Sequence, residues 1–174
     1  MALRRAWVAG PLVPGERVTV TGPRAHHLGR VLRMGPGDPC RVFDGTGAEL
    51  EARIERVDRH GVGLLLGEAV APLPESPLRV TLALGVSRGE RTDTAIQKAV
   101  ELGAGRLAPV LSERSTVRLE GERARQRQRR WEEVARNACE QCGRSRVPPV
   151  DPPRPLQAWL QGAPAGLGLC LLPG

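Results

Sequence analysis

The chain has 174 residues, enough for one large domain or two small ones. It carries 26 Lys and Arg against 19 Asp and Glu, a formal net charge of +7, and 40% hydrophobic residues. No apolar run approaches the ~20 residues that span a bilayer and the N-terminus lacks the apolar core of a secretory signal, so the reading is a soluble, cytoplasmic protein without a membrane partner.

The positive balance favours a polyanionic partner, nucleic acid above all, because each phosphate neutralised by an arginine releases counterions. With no Tyr, one Phe and three Trp, the chain cannot build the row of aromatic faces on which unpaired bases stack. Recognition then rests on phosphates, shape and arginine forks.

In chain order, residues 17–21, 40–43, 49–57 and 62–66 read as short strands. Turns such as Gly35-Pro-Gly-Asp38, Asp44-Gly-Thr-Gly47 and Asp58-Arg-His-Gly61 separate them. Short strands with punctuating turns suggest a small β-barrel over residues 1–70. One helical piece, residues 26–33, interrupts it. There Arg24, His26, His27, Arg30 and Arg33 cluster as a candidate phosphate-binding face.

Three prolines within residues 71–77 mark a linker. Beyond it the pattern changes to strand, helix, strand, helix, strand, which means a parallel α/β sheet over residues 78–174. The strands are expected at residues 78–84, 106–111 and 167–172. The first helix is capped by Thr92-Asp93 and stopped by Gly103. The second runs over residues 122–142 and stops at Gly143, and a short helix covers residues 157–160. Pro109 predicts an edge or a bulge for the middle strand.

Ligands in such sheets sit beyond the carboxyl ends of the strands. That singles out residues 85–91, 112–116 and the terminal Pro173-Gly174. Lys98, the only lysine in the chain, lies one helical turn from Glu101, at pairing distance. Arg123, Arg127 and Arg130 share one face of the long helix, where a solvated surface is the plain reading and an RNA contact the other. Cys139-Glu-Gln-Cys142 is a lone CxxC. A zinc site would need His26 and His27 from afar, and small buried helix residues suit the spacing better, so no metal is expected.

Taken together, these residues resemble the ribosomal RNA small-subunit methyltransferase E family. The matching text is His26-His-Leu-Gly-Arg-Val-Leu-Arg33 with Gly37-Asp38 and Phe43-Asp-Gly45, then Ile96-Gln-Lys-Ala-Val-Glu-Leu-Gly103, Pro109 and Ser112-Glu-Arg-Ser115. Arg130-Trp131, Ala138, Glu140-Gln141, Gly143-Arg144 and Val147-Pro148 complete it. The resemblance implies a PUA-like RNA-binding barrel followed by a knotted SPOUT methyltransferase domain. It also implies a homodimer that uses S-adenosylmethionine to methylate N3 of a uridine in 16S rRNA of the small ribosomal subunit. On it, Arg114, Lys98 and Glu101 are candidate catalytic residues, with Glu140 as a second orienting carboxylate. Arg144 joins the RNA-binding set, and Leu172, Pro173 and Gly174 stand at the edge of the cofactor pocket. The family's glycine-rich loop and knot-threading segment do not follow Gly174, so a domain incomplete at its C-terminus is expected. The alternative for such a chain is a non-catalytic RNA-binding module.

Overall fold

The computed structural model describes residues 4–163 and 165–171. Two sheets carry the chain. The first contains β1 (Arg4–Trp7), β2 (Arg17–Val20), β3 (Pro39–Phe43), β4 (Glu49–Asp58) and β5 (Gly61–Ala69), in the order β1-β3-β4-β5-β2. All neighbours are antiparallel except β1, which runs parallel to β3 with Arg4 opposite Cys40 and Trp7 opposite Phe43. β1 and β2 end the order, so the sheet is open and mixed rather than the expected closed barrel. The physical reason is β1, whose parallel pairing with β3 takes the edge that closure would have joined to β2.

Period-two alternation builds this sheet's inner face. In β4, Leu50, Ala52 and Ile54 are buried while Glu51, Arg53 and Glu55 face water. They meet Val20, Val42, Val62, Leu64 and Leu66 in one apolar cluster. The β4–β5 turn is set by Asp58, whose Oδ1 accepts the His60 N–H at 2.7 Å. Gly61 follows at φ +138°, where an added Cβ would stand 2.2 Å from the Val20 carbonyl oxygen.

The helical piece begins four residues before its expected start. Thr21 is extended and Pro23 sits in the first turn, so α1 covers Gly22–His26, and one π-helical turn, His27–Val31, continues it. Leu28, 2% exposed, plugs this segment into the first core.

The second sheet is parallel, in the order β6-β7-β8: β6 (Thr81–Gly85), β7 (Arg106–Leu111) and β8 (Arg154–Pro155). α2 (Arg91–Glu101) and α3 (Gly121–Cys142) pack on it, and α4 (Leu156–Gln161) follows β8. Ile96, Ala99 and Val100 of α2 meet Trp131, Ala135, Ala138 and Cys139 of α3, both sets at helical spacing. Gly103 at φ +92° and Gly143 at φ +91° end the two helices as expected. Thr92 and Asp93 do not cap α2, which has no side-chain cap; Thr92 is buried and accepts the Ser87 N–H at 3.0 Å.

Pro109 lies in the central strand, not at an edge. Leu107 donates its N–H to Pro149 O on the β8 side at 3.0 Å, and Pro109, two residues on, would aim its missing N–H the same way. β8 pairs only with Val110 and Leu111, so the ladder is interrupted where the proline needs it to be. Residues 167–171 form no strand, and Leu167, Leu169 and Leu171 are at least 84% exposed. An apolar run shows that a segment gains by burial; it does not supply the partner whose hydrogen bonds define a strand. Residue 172 of the expected strand lies outside the described residues.

The two cores are joined at one seam. Phe43 of β3 is fully buried in the second core, and Val147 donates its N–H to Gly45 O at 2.9 Å. Among the described residues no helix is long and apolar enough to cross a membrane.

Candidate functional site

α1, the π-helical turn and the bend after it present His26, His27, Arg30 and Arg33 on the surface, all exposed. Arg33 adopts φ +53°, a conformation that non-glycine residues seldom take, as the chain turns away. Arg24, expected on the same face, turns inward. Its Nε donates to Glu140 Oε1 at 2.8 Å, it pairs with Glu133, and it lies over the Trp7 ring at 5.0 Å from the centroid. The same Glu140 oxygen accepts the Trp7 N–H at 2.9 Å. Glu140 therefore holds the seam and does not orient Arg114.

Arg144 is likewise committed to structure. Nη1 donates to the carbonyls of Val100 at 2.8 Å and Ala104 at 3.0 Å, and Nε and Nη2 grip Glu75 of the loop before β6. With its side chain 11% exposed, it fastens the connecting loop to the end of α2. Sequence reasoning also missed Arg5. Arg5 pairs with Glu49 through Nη2–Oε2 at 2.9 Å and donates to Cys139 O at 2.7 Å and Ser145 Oγ at 3.0 Å, crossing the seam. Nothing in the short Leu3-Arg-Arg-Ala-Trp7 text marks it as a strand residue.

At the carboxyl edge of the parallel sheet, two loops are held together. Val86 donates to Val110 O at 2.9 Å, and Ser115 Oγ donates to Val86 O at 3.4 Å. Arg114 stands exposed on the turn between Ser112 and Ser115. Lys98 and Glu101 are not brought to it. They form a pair of 2.8 Å in the last turn of α2, with Lys98 59% exposed, and Gln97 donates to the same carboxylate. The Lys98 hydrogen bond holds the Glu101 carboxyl below its ordinary range. α2 runs back against the strands, so this pair lies ~10 to 15 Å along the helix from its carboxyl-edge end.

Beside the carboxyl-edge loops is a concave cleft of about 440 Å³. Arg88 enters from the loop after β6 and Arg123, Arg127 and Arg130 from α3, over a floor of Val117 and Leu119. Arg127 Nη2 donates to Gly89 O at 3.0 Å, and its guanidinium lies 5.6 Å from the centroid of the buried Trp131 ring. Asp93, in the first turn of α2, accepts from Trp131 Nε1 at 3.2 Å and pairs with Arg130 at 2.6 Å.

Cys139 is buried and donates to Arg146 O; burial pushes its thiol up to about 12. Among the described residues, no three His, Cys, Asp or Glu side chains gather as a metal site. Leu172, Pro173 and Gly174, expected at the cofactor pocket, lie outside the described residues.

An open β unit with a basic helical face, docked on a parallel α/β unit, matches a known class. A family model for the RNA methyltransferase PUA domain matches residues 20–64, and one for the RNA methyltransferase domain matches residues 74–173. The ribosomal RNA small subunit methyltransferase E of Bacillus subtilis is 33% identical over 82% of this chain. That of Synechocystis is 36% identical over 86%. The crystal structure of the Neisseria gonorrhoeae enzyme of that name, bound to S-adenosylmethionine, superposes with a TM-score of 0.87 at 38% identity, covering 94% of this chain and 67% of that one. The chain belongs to the ribosomal RNA small subunit methyltransferase E family. It spans 56% of the Bacillus protein's length and 47% of the Synechocystis protein's.

Proposed function

We propose that this protein transfers a methyl group from S-adenosylmethionine to N3 of a uridine in the 16S rRNA of the small ribosomal subunit, as a cytoplasmic homodimer. The likeness to the cofactor-bound Neisseria enzyme over nearly the whole chain carries this reading. The cofactor brings an already electrophilic methyl group, so what remains for the protein is positioning and charge. In-line placement of two substrates supplies much of the rate. Extruding the base from its stack costs a few kcal/mol, roughly, which backbone contacts must offset. Arg30 and Arg33, with His26 and His27 beside them, form the exposed basic face suited to that grip. Loss of the N3 proton leaves anionic charge on the ring, and a fixed cation stabilises it. Arg114 suits that role better than Lys98, since Arg114 stands at the carboxyl edge and Lys98 is paired at the opposite end of α2.

The arginine cleft does not fit the cofactor. A sulfonium cation facing four guanidiniums is repelled, and the cleft suits an anion instead. Its fit to an anion supports a second reading, an RNA-binding module without catalysis. Calorimetric titration of the protein with S-adenosylmethionine separates the two. Saturable cofactor binding supports methyl transfer, and RNA binding without it supports the module.

A further inference from the structure

We infer that the cleft between the loop after β6 and the first turns of α3 is a second RNA-backbone site, taking phosphodiester oxygens apart from the α1 face. It rests on the RNA reading above and extends it to the methyltransferase unit.

Four guanidiniums converge there from two elements. Arg123, Arg127 and Arg130 repeat at i, i+4 and i+7 on one face of α3, and Arg88 faces them from the loop. Two of them are preset: Arg127 by Gly89 O and the Trp131 ring, Arg130 by Asp93. The other two, Arg88 and Arg123, make no ion pair among the described residues, while Arg125 and Arg129 nearby are both taken up by Glu122. The carboxylates at the rim are Asp93, which is committed to Arg130 and Trp131, and Glu90, 4.0 Å from Arg130. With Arg130 neutralised by Asp93, Arg88, Arg123 and Arg127 remain as cations without an ion pair among the described residues, and they leave the cleft positive.

The fold keeps this arrangement against a local cost. Arg123 is the third residue of α3, where a cation opposes the helix dipole, and Glu120 at the start of that helix makes no side-chain cap. A bound phosphate reverses the first effect and offers acceptors to the uncapped N–H groups. The chemistry also selects the ligand. Trp131 is fully buried, so no aromatic face is open for a base to stack on. The site therefore reads backbone, not sequence. It sits ~20 Å along α3 from Glu140, where the α1 face is anchored, so one RNA can engage both.

The test is fluorescence anisotropy of the whole chain with a short mixed-sequence RNA hairpin, across about 50 to 200 mM salt. Arg88→Ala with Arg123→Ala should weaken binding by about tenfold and lower the log–log salt slope by about 1.5 to 2. Arg88→Lys with Arg123→Lys should keep most of the slope. Inorganic pyrophosphate and polyglutamate should compete poorly. A folded double-alanine protein with unchanged affinity and slope overturns the inference while leaving the RNA reading intact. So does full displacement of RNA by pyrophosphate or polyglutamate. Wild-type protein that binds no RNA overturns both.

Discussion

Arg24 of α1 and Glu140 of α3, 116 residues apart in sequence, meet through an Nε–Oε1 contact of 2.8 Å. The same carboxylate oxygen accepts the Trp7 N–H at 2.9 Å, and Arg136 lies 4.5 Å from the Trp7 ring centroid, so α3 holds both β1 and α1. The basic face that begins at His26 is thereby fixed relative to the parallel sheet. The pair is mostly buried, with side chains 16% and 10% exposed.

Glu140→Ala leaves the Trp7 N–H without its acceptor and the Arg24 guanidinium with Glu133 as its remaining carboxylate, in a poorly hydrated seam. Removing one partner of such a pair costs about 2 to 3 kcal/mol. For a chain of this size the melting temperature should fall by about 5 to 10 °C. Thermal denaturation followed by circular dichroism measures it. Glu140→Gln, which keeps an acceptor, should lose less.

Glu49 couples stability to acid. Burial pushes its carboxyl up, but Arg5, the Ser145 hydroxyl and Arg41 together hold it below its ordinary range. A carboxyl depressed in the folded state adds stability that is present above its unfolded pKa, about 4.3, and is lost as pH falls through the folded value. Urea unfolding should therefore show a stability loss that sets in as pH drops below about 4.5 and continues downward. In Glu49→Gln that part of the acid limb should disappear, with stability lower at neutral pH.

Lys98 and Arg114 are expected to separate in function. The Lys98–Glu101 pair is solvated, so Lys98→Met should leave the melting temperature within about 1 °C and turnover within about twofold. Arg114→Ala should keep the fold and lower kcat by at least about tenfold, as removal of a fixed charge near a developing anion does. Single-turnover methyl transfer compares the two.

Thiol reactivity should divide the four cysteines. Burial pushes Cys40 up to about 11 and Cys139 up to about 12, and both are enclosed, while Cys142 is half-buried and Cys170 exposed. Since the thiolate is the reactive form, titration with a thiol reagent at pH 8 should label Cys170 first and Cys142 more slowly. Cys40 and Cys139 should react only after denaturation.

Most strands and both long helices were legible because their signals are local. Alternation marks β4, helical spacing marks α2 and α3, and Gly103 and Gly143 stop those helices. β1 was not legible, since four residues with two arginines show no period and gain their place only by pairing with β3. For Arg24 and Arg144 the sequence shows the charges but not their partners. Glu133, Glu140 and Glu75, which claim those guanidiniums, lie 69 residues or more away. Residues 167–171 form no strand for the same reason: apolarity is visible in sequence, the absence of a pairing partner among the described residues is not. The cleft was half visible. The face shared by Arg123, Arg127 and Arg130 follows from spacing, but Arg88 joins it only through the fold.

The most direct test of methyl transfer uses small ribosomal subunits that lack the modification, incubated with the protein and methyl-labelled S-adenosylmethionine. The 16S rRNA is then digested to nucleosides and resolved by mass spectrometry. Label is expected in 3-methyluridine alone, and less of it with Arg114→Ala. Label in a different nucleoside, or none from protein that is folded and binds RNA, would contradict methyl transfer to uridine N3.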